Sequence, residues 1–85
     1  MDRSQPSGLV RAFATSLRYF RMQGNLSQEQ LAFKAGVDRT YVSGIERGRR
    51  NPTLGTIGRL ISALEIDEIT FVTRLRFVLR GTSHD

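Results

Sequence analysis

The chain has no cysteine, so neither a disulfide nor a thiolate metal site can reinforce it. Its one histidine, His84, stands in a polar tail and reads as a solvated end rather than a ligand. No apolar run approaches the length of a membrane span or a signal-peptide core, which makes the cytoplasm the expected compartment. Gly-rich phosphate loops, metal-spaced His/Cys clusters and Ser/His/Asp sets are all missing. Glu65, Asp67 and Glu68 are neighbours in sequence, but at a helix junction they read as capping and dipole compensation. No cofactor, metal site or enzymatic activity is therefore expected. Internal repeats and low-complexity segments are also missing.

Lysine is nearly absent: twelve of the thirteen basic residues are arginine, and the net charge is +5. A basic balance alone fits nucleic acid, an acidic protein or a membrane surface. Arginine in place of lysine favours bidentate recognition of phosphate and guanine. At 85 residues the chain, 1–85, is expected to be one domain, near the size where a single core is marginal. Without disulfide or metal, oligomerisation is the remaining route to more buried surface.

The strongest local pattern lies in Leu26–Asn51. Ser27 is placed as an N-cap, with Gln30 three residues on to complete a capping box. Leu26 and Leu31 flank that cap at the spacing of a hydrophobic staple. Gly36 stops the helix by taking the left-handed conformation. The signature then repeats with Val37, Asp38 as cap and Val42, and Gly48 closes the second helix. Two capped helices separated by Gly-Val-Asp cannot stack end to end, so the chain bends between them as a helix-turn-helix. The spacing predicts helices over 28–35 and 39–47. In the first, Leu31, Ala32 and Ala35 face inward, and Ala32 is small enough for a close crossing. In the second, Val42 and Ile45 face inward, while Arg39, Thr40, Ser43 and Gly44 face outward with Arg47 further along.

On either side the pattern is helical again. Leu9, Phe13, Leu17 and Phe20 recur at helical spacing and predict a helix over 7–23. Arg11 and Arg18 lie on its outer side, either solvated or against phosphate, and Arg21 lies beside the apolar stripe. Leu54, Ile57, Leu60, Ile61 and Leu64 predict a fourth helix over 54–64. Its line of Gly55, Gly58 and Ser62 permits a close crossing, within the domain or at a dimer contact. Ile66, Asp67 and Phe71 repeat the staple and cap, opening a helix over 68–80 with Gly81 as its stop. There Phe71, Val72, Leu75, Val78 and Leu79 share one broad face. Phe77 falls outside that arc, as an interface residue or as an ordinary exposed phenylalanine. Met1–Pro6 and Thr82–Asp85 read as polar ends. The fold class is all-α, with five helices.

The run LSQEQLAFKAGVDRTYVSGIERGRRNP resembles the Cro/cI-like (XRE) family of bacterial DNA-binding regulators. Gln28, Leu31, Ala32, Gly36, Val42, Ile45, Glu46 and Gly48 fall where that family's pattern expects them. Within the family, Asp38–Arg47 looks most like the controller proteins of restriction–modification systems. The resemblance covers about Leu17 to Leu79. Where the family often has glycine just before Leu26, this chain has Asn25, with the glycine displaced to Gly24. The resemblance implies a lambda-repressor-like five-helix fold and an ion pair between Arg21 and Glu46. It also implies a homodimer acting on a short inverted repeat of double-stranded DNA, with RNA polymerase a further candidate partner.

Local preferences locate the candidate site. Arg39 at a helix start is opposed by the helix dipole, Thr and Ser are weak helix formers, and Gly44 in mid-helix costs about 1 kcal/mol relative to Ala. These violations cluster on one outer face, where function is expected. Arg39, Thr40, Ser43 and Gly44 are the candidate base-reading residues. Ser27, Gln28, Tyr41, Arg47, Arg49, Arg50 and Asn51 are candidates for phosphate. For Ser27 and Gln28, capping is compatible with that role, and Tyr41 either packs under the loop or bonds phosphate through its hydroxyl. Arg49 and Arg50 are expected off the base-reading face. Phe71, Arg74, Phe77 and Val78 are the candidate dimer contact. Other functional readings are a stand-alone or phage-type repressor, and an antitoxin-like module that binds a partner protein through its last helix.

Overall fold

The computed structural model describes residues 8–82. They form five helices and no strand: α1 Gly8–Gln23, α2 Gln28–Ala35, α3 Arg39–Glu46, α4 Leu54–Ala63 and α5 Glu68–Thr82. The expectations for Met1–Pro6, Ser7 and His84 lie outside the described residues.

Helix starts follow short polar side chains. Ser27 Oγ accepts from the Gln30 backbone N–H at 3.0 Å, and Gln30 Oε1 accepts from that of Ser27 at 2.8 Å, which completes the capping box. Thr53 Oγ1 accepts from Thr56 N at 3.1 Å and Asp67 Oδ1 from Thr70 N at 2.7 Å. Asp38 departs from this rule. Its backbone is extended as an N-cap requires, but its side chain makes no capping hydrogen bond. The start of α3 is held instead by half-buried Val37 and fully buried Val42.

Helix ends use the left-handed conformation, which glycine adopts without a Cβ clash. Gly36 has φ 74° and Gly48 φ 73°, and the following N–H groups close back on Ala32 O at 3.0 Å and Gly44 O at 2.8 Å. Asn25 does the same after α1 with φ 57°. Glu65 does so after α4 with φ 61°, a conformation its sequence position did not announce. Three boundaries differ from expectation. Arg47 and Leu64 are C-caps, so α3 and α4 each end one residue early, and Gly81 stays helical, so α5 continues to Thr82.

The core gathers Leu17, Leu31, Val42, Ile45 and Leu60 around the junction of the helices. Phe71 is 2% exposed and lies between Phe13 and Phe20, with ring centroids 5.3 and 5.6 Å away. It anchors α5 to α1 and leaves almost none of its own surface outward, unlike the other three interface candidates. The apolar stripes also run past the core. Leu9 is 57%, Leu54 85% and Val72 56% exposed, because among the described residues no helix lies over the start of α1, the start of α4 and that side of α5. These residues line an apolar groove of about 350 Å³ together with Phe13, Ile57, Ile61 and Phe71. The small-residue line of α4 serves no close crossing among the described residues: a Cβ at Gly58 would meet nothing within 4 Å, and one at Gly55 only Thr53 Oγ1 at 3.8 Å.

Candidate nucleic-acid interface

Two short helices and the turn at Gly36 set the geometry of the candidate site. Ala32 and Leu31 of α2 pack on Val42 and Ile45 of α3, which leaves the opposite side of α3 outward. Arg39, Thr40 and Arg47 are exposed there, and Ser43 is half-buried.

The orientation of α3 is held by Glu46. Its Oε2 accepts from Arg21 Nε at 2.7 Å, and its Oε1 from Arg21 Nη2 and from Gln28 Nε2, each at 3.0 Å. Arg21 Nη1 also donates to Leu26 O at 2.8 Å. The ion pair is largely removed from water, with side-chain exposures of 12% for Arg21 and 4% for Glu46. A fork-to-fork pair has strict geometry, and with the bonds from Gln28 Nε2 and to Leu26 O it ties α1, the turn after it, α2 and α3 together. The sequence placed Gln28 at the first turn of α2 as a phosphate candidate. The structure commits one of its donors to Glu46, a link that nothing in local spacing could reveal.

Two placements differ from the sequence reading. Gly44 is buried rather than outward. The side chain over it is that of Arg50, whose Cγ would stand 2.6 Å from a Cβ at Gly44. Arg50 therefore does not project from the loop away from α3 but folds back along its flank. Its guanidinium carbon lies 5.3 Å from the centroid of the Tyr41 ring, and that ring packs against the core. Arg49 and Asn51 are exposed on the loop, and Ser27 is exposed at the start of α2.

At the far end, Arg74 stacks over Tyr19 with its guanidinium carbon 3.7 Å from the ring centroid, and lies 5.0 Å from that of Phe77. Phe77 is 65% exposed, while Arg74 and Val78 are half-buried. No helix is long and apolar enough to cross a membrane among the described residues.

Comparison with known proteins places these features in a family. A family model described as helix-turn-helix matches residues 17–71. Control protein C.SmaI of Serratia marcescens is 44% identical over 61 residues, which span 72% of this chain and 73% of that protein. Control protein C.BamHI of Bacillus amyloliquefaciens is 42% identical over 65 residues, covering 72% of this chain and 80% of that one. Among solved structures, the restriction–modification controller protein C.Esp1396I, a tetramer in complex with its natural 35 base-pair operator, is similar with a TM-score of 0.84 at 32% identity, covering 87% of this chain and 97% of that chain. The chain belongs to the XRE-type helix-turn-helix family of transcription regulators, the family that includes the controller proteins of restriction–modification systems.

Proposed function

We propose that the protein binds duplex DNA sequence-specifically as a symmetric dimer on a short inverted repeat, and so regulates transcription, as a controller of a restriction–modification system. The observation that carries this reading is the locked exposed face of α3. Arg39 and Thr40 stand outward on a helix that Glu46 ties to α1 and α2. Arg39 can donate two hydrogen bonds to guanine O6 and N7. Arg47, Arg49 and Asn51, with the start of α2 at Ser27, supply phosphate contacts that fix register but carry no sequence information. The C.Esp1396I operator complex supports the class of ligand. Exposed Ile69, Val72 and Phe77 on α5 give the second copy apolar surface to cover. The cytoplasm is the matching compartment and RNA polymerase a further partner, with no catalytic role.

Selection of bound fragments from a random DNA pool by the purified protein tests the reading. The expected outcome is a two-fold symmetric motif with half-sites about 34–36 Å apart. A pool that stays unenriched, with salt-sensitive binding equal on all sequences, would overturn it. The exposed apolar side of α5 favours the antitoxin-like reading as the second possibility, and a partner protein co-purifying through Phe77 is its signature.

A further inference from the structure

Gly44 occupies the middle of α3, where alanine would make a more stable helix. It is buried, and the nearest atoms outside its own helix belong to Arg50. A Cβ at Gly44 would stand 2.6 Å from Arg50 Cγ and 3.6 Å from Nε, whereas carbons pack at about 3.5–4.0 Å. Only a residue without a side chain lets Arg50 take this path. Beyond the notch the guanidinium reaches the Tyr41 ring, at 5.3 Å from its centroid, within the range of a cation–π contact. Tyr41 is itself held against the core. At about 100° per residue, Gly44 falls beside Thr40 on the helix surface and Tyr41 beyond it. The bare backbone of Gly44 and the ring of Tyr41 thus form a cradle next to the exposed face of α3.

We propose that Gly44 and Tyr41 are positioning residues that hold Arg50 along the flank of α3, so that it meets DNA as a preset second point of the α3 surface. This inference rests on the DNA-binding reading above. An arginine free on a loop loses rotamer freedom when it binds. A cradled arginine has lost that freedom in folding, and the loss no longer opposes binding. The glycine that weakens the helix is therefore explained by what it lets another residue do.

The test combines operator titrations of wild type, Gly44→Ala, Arg50→Ala and the double variant with ¹⁵N relaxation at Arg50 Nε in the free protein. Gly44→Ala is expected to weaken operator binding by about 3–10-fold, the effect of re-immobilising one rotamer-rich side chain. Its thermal midpoint should stay at or above that of wild type, and Arg50 Nε should become more mobile. In the Arg50→Ala background, Gly44→Ala should change affinity by less than about 2-fold, because coupled residues are not additive. Tyr41→Leu offers an independent arm should Gly44→Ala fold poorly: it should loosen Arg50 Nε and weaken binding only while Arg50 is present. Wild-type affinity and wild-type Arg50 mobility in Gly44→Ala would overturn the proposal, as would losses that multiply in the double variant. If wild type selects no DNA motif, the DNA reading fails, while the relaxation measurement still decides the cradle.

Discussion

Glu46 joins three segments through one carboxylate, since Arg21 and Gln28 both donate to it. Replacing it with glutamine leaves Arg21 buried with its charge uncompensated. Glu46→Gln should therefore cost more than the roughly 0–1 kcal/mol of an exposed pair, and approach the about 3–5 kcal/mol of a broken buried one. Urea midpoints at unchanged slope measure this, and a midpoint equal to wild type would rule it out. The Lys34–Glu65 pair at 2.9 Å is largely exposed, so its loss belongs to the weaker class. Ser16 is the reverse case. It is fully buried and its Oγ has no hydrogen-bond partner among the described residues. An unsatisfied buried hydroxyl costs about 1–3 kcal/mol, so Ser16→Ala should raise stability by about 1 kcal/mol in the same assay. The Arg21–Glu46 pair was readable through family resemblance. Gln28 was not, because the two residues are 18 positions apart and glutamine has many uses.

Among the elements, the start of α5 and the face of α3 each allow a direct test. Hydrogen bonds from the Thr70 backbone N–H, and then its hydroxyl, hold the Asp67 carboxyl below its usual value of 3.8. The ionised cap is thus favoured in the folded state, and its contribution is present above the ordinary aspartate pKa. It is lost as pH falls through the lowered folded value. Asp67→Ala should melt earlier than wild type at neutral pH, and the two should converge as pH drops below about 3.8. A gap that persists undiminished in acid would show that the cap does not act through its charge. On α3, Arg39→Ala should cost about 1–3 kcal/mol on the selected operator and relax one position per half-site. Arg49→Ala should weaken operator and random DNA alike and flatten the salt dependence by about one unit. Titrations of both variants on both DNAs across a salt series separate reading from gripping. Equal losses for Arg39→Ala on both DNAs would make it a phosphate clamp.

For the molecule as a whole, the apolar surface left on α5 by Ile69, Val72 and Phe77 bears on assembly. Phe71 is consumed by the protomer's own core, whereas Phe77 is exposed and rests only partly on Arg74. One copy reads only a few base pairs, and two-fold pairing doubles the contacts and sets their spacing. Sedimentation equilibrium should show a dimer at micromolar protein, weakened by Phe77→Asp. The thermal midpoint of that variant's protomer should change little, since an exposed side chain contributes little to the core. A monomer at every accessible concentration, with and without DNA, would exclude the dimer.

Caps, staples and left-handed residues act within about five positions of one another, so the five helices were legible in the sequence. The same holds for the inward placement of Leu31, Val42 and Ile45, because helical periodicity tells which residues share a face. Periodicity does not tell whether another element lies over that face. Leu9, Leu54 and Val72 continue apolar stripes that the core covers only in part, since five short helices have more apolar edge than they can cover. Gly44 shows the same limit at one residue. Its cost to α3 was visible in the sequence and marked its side of the helix as a place of function. That the approaching group is Arg50, from beyond Gly48 and with Tyr41 beneath it, depends on the path of the returning loop. Only the tertiary structure decides that path, because loop direction is set by how the packed helices place its two ends.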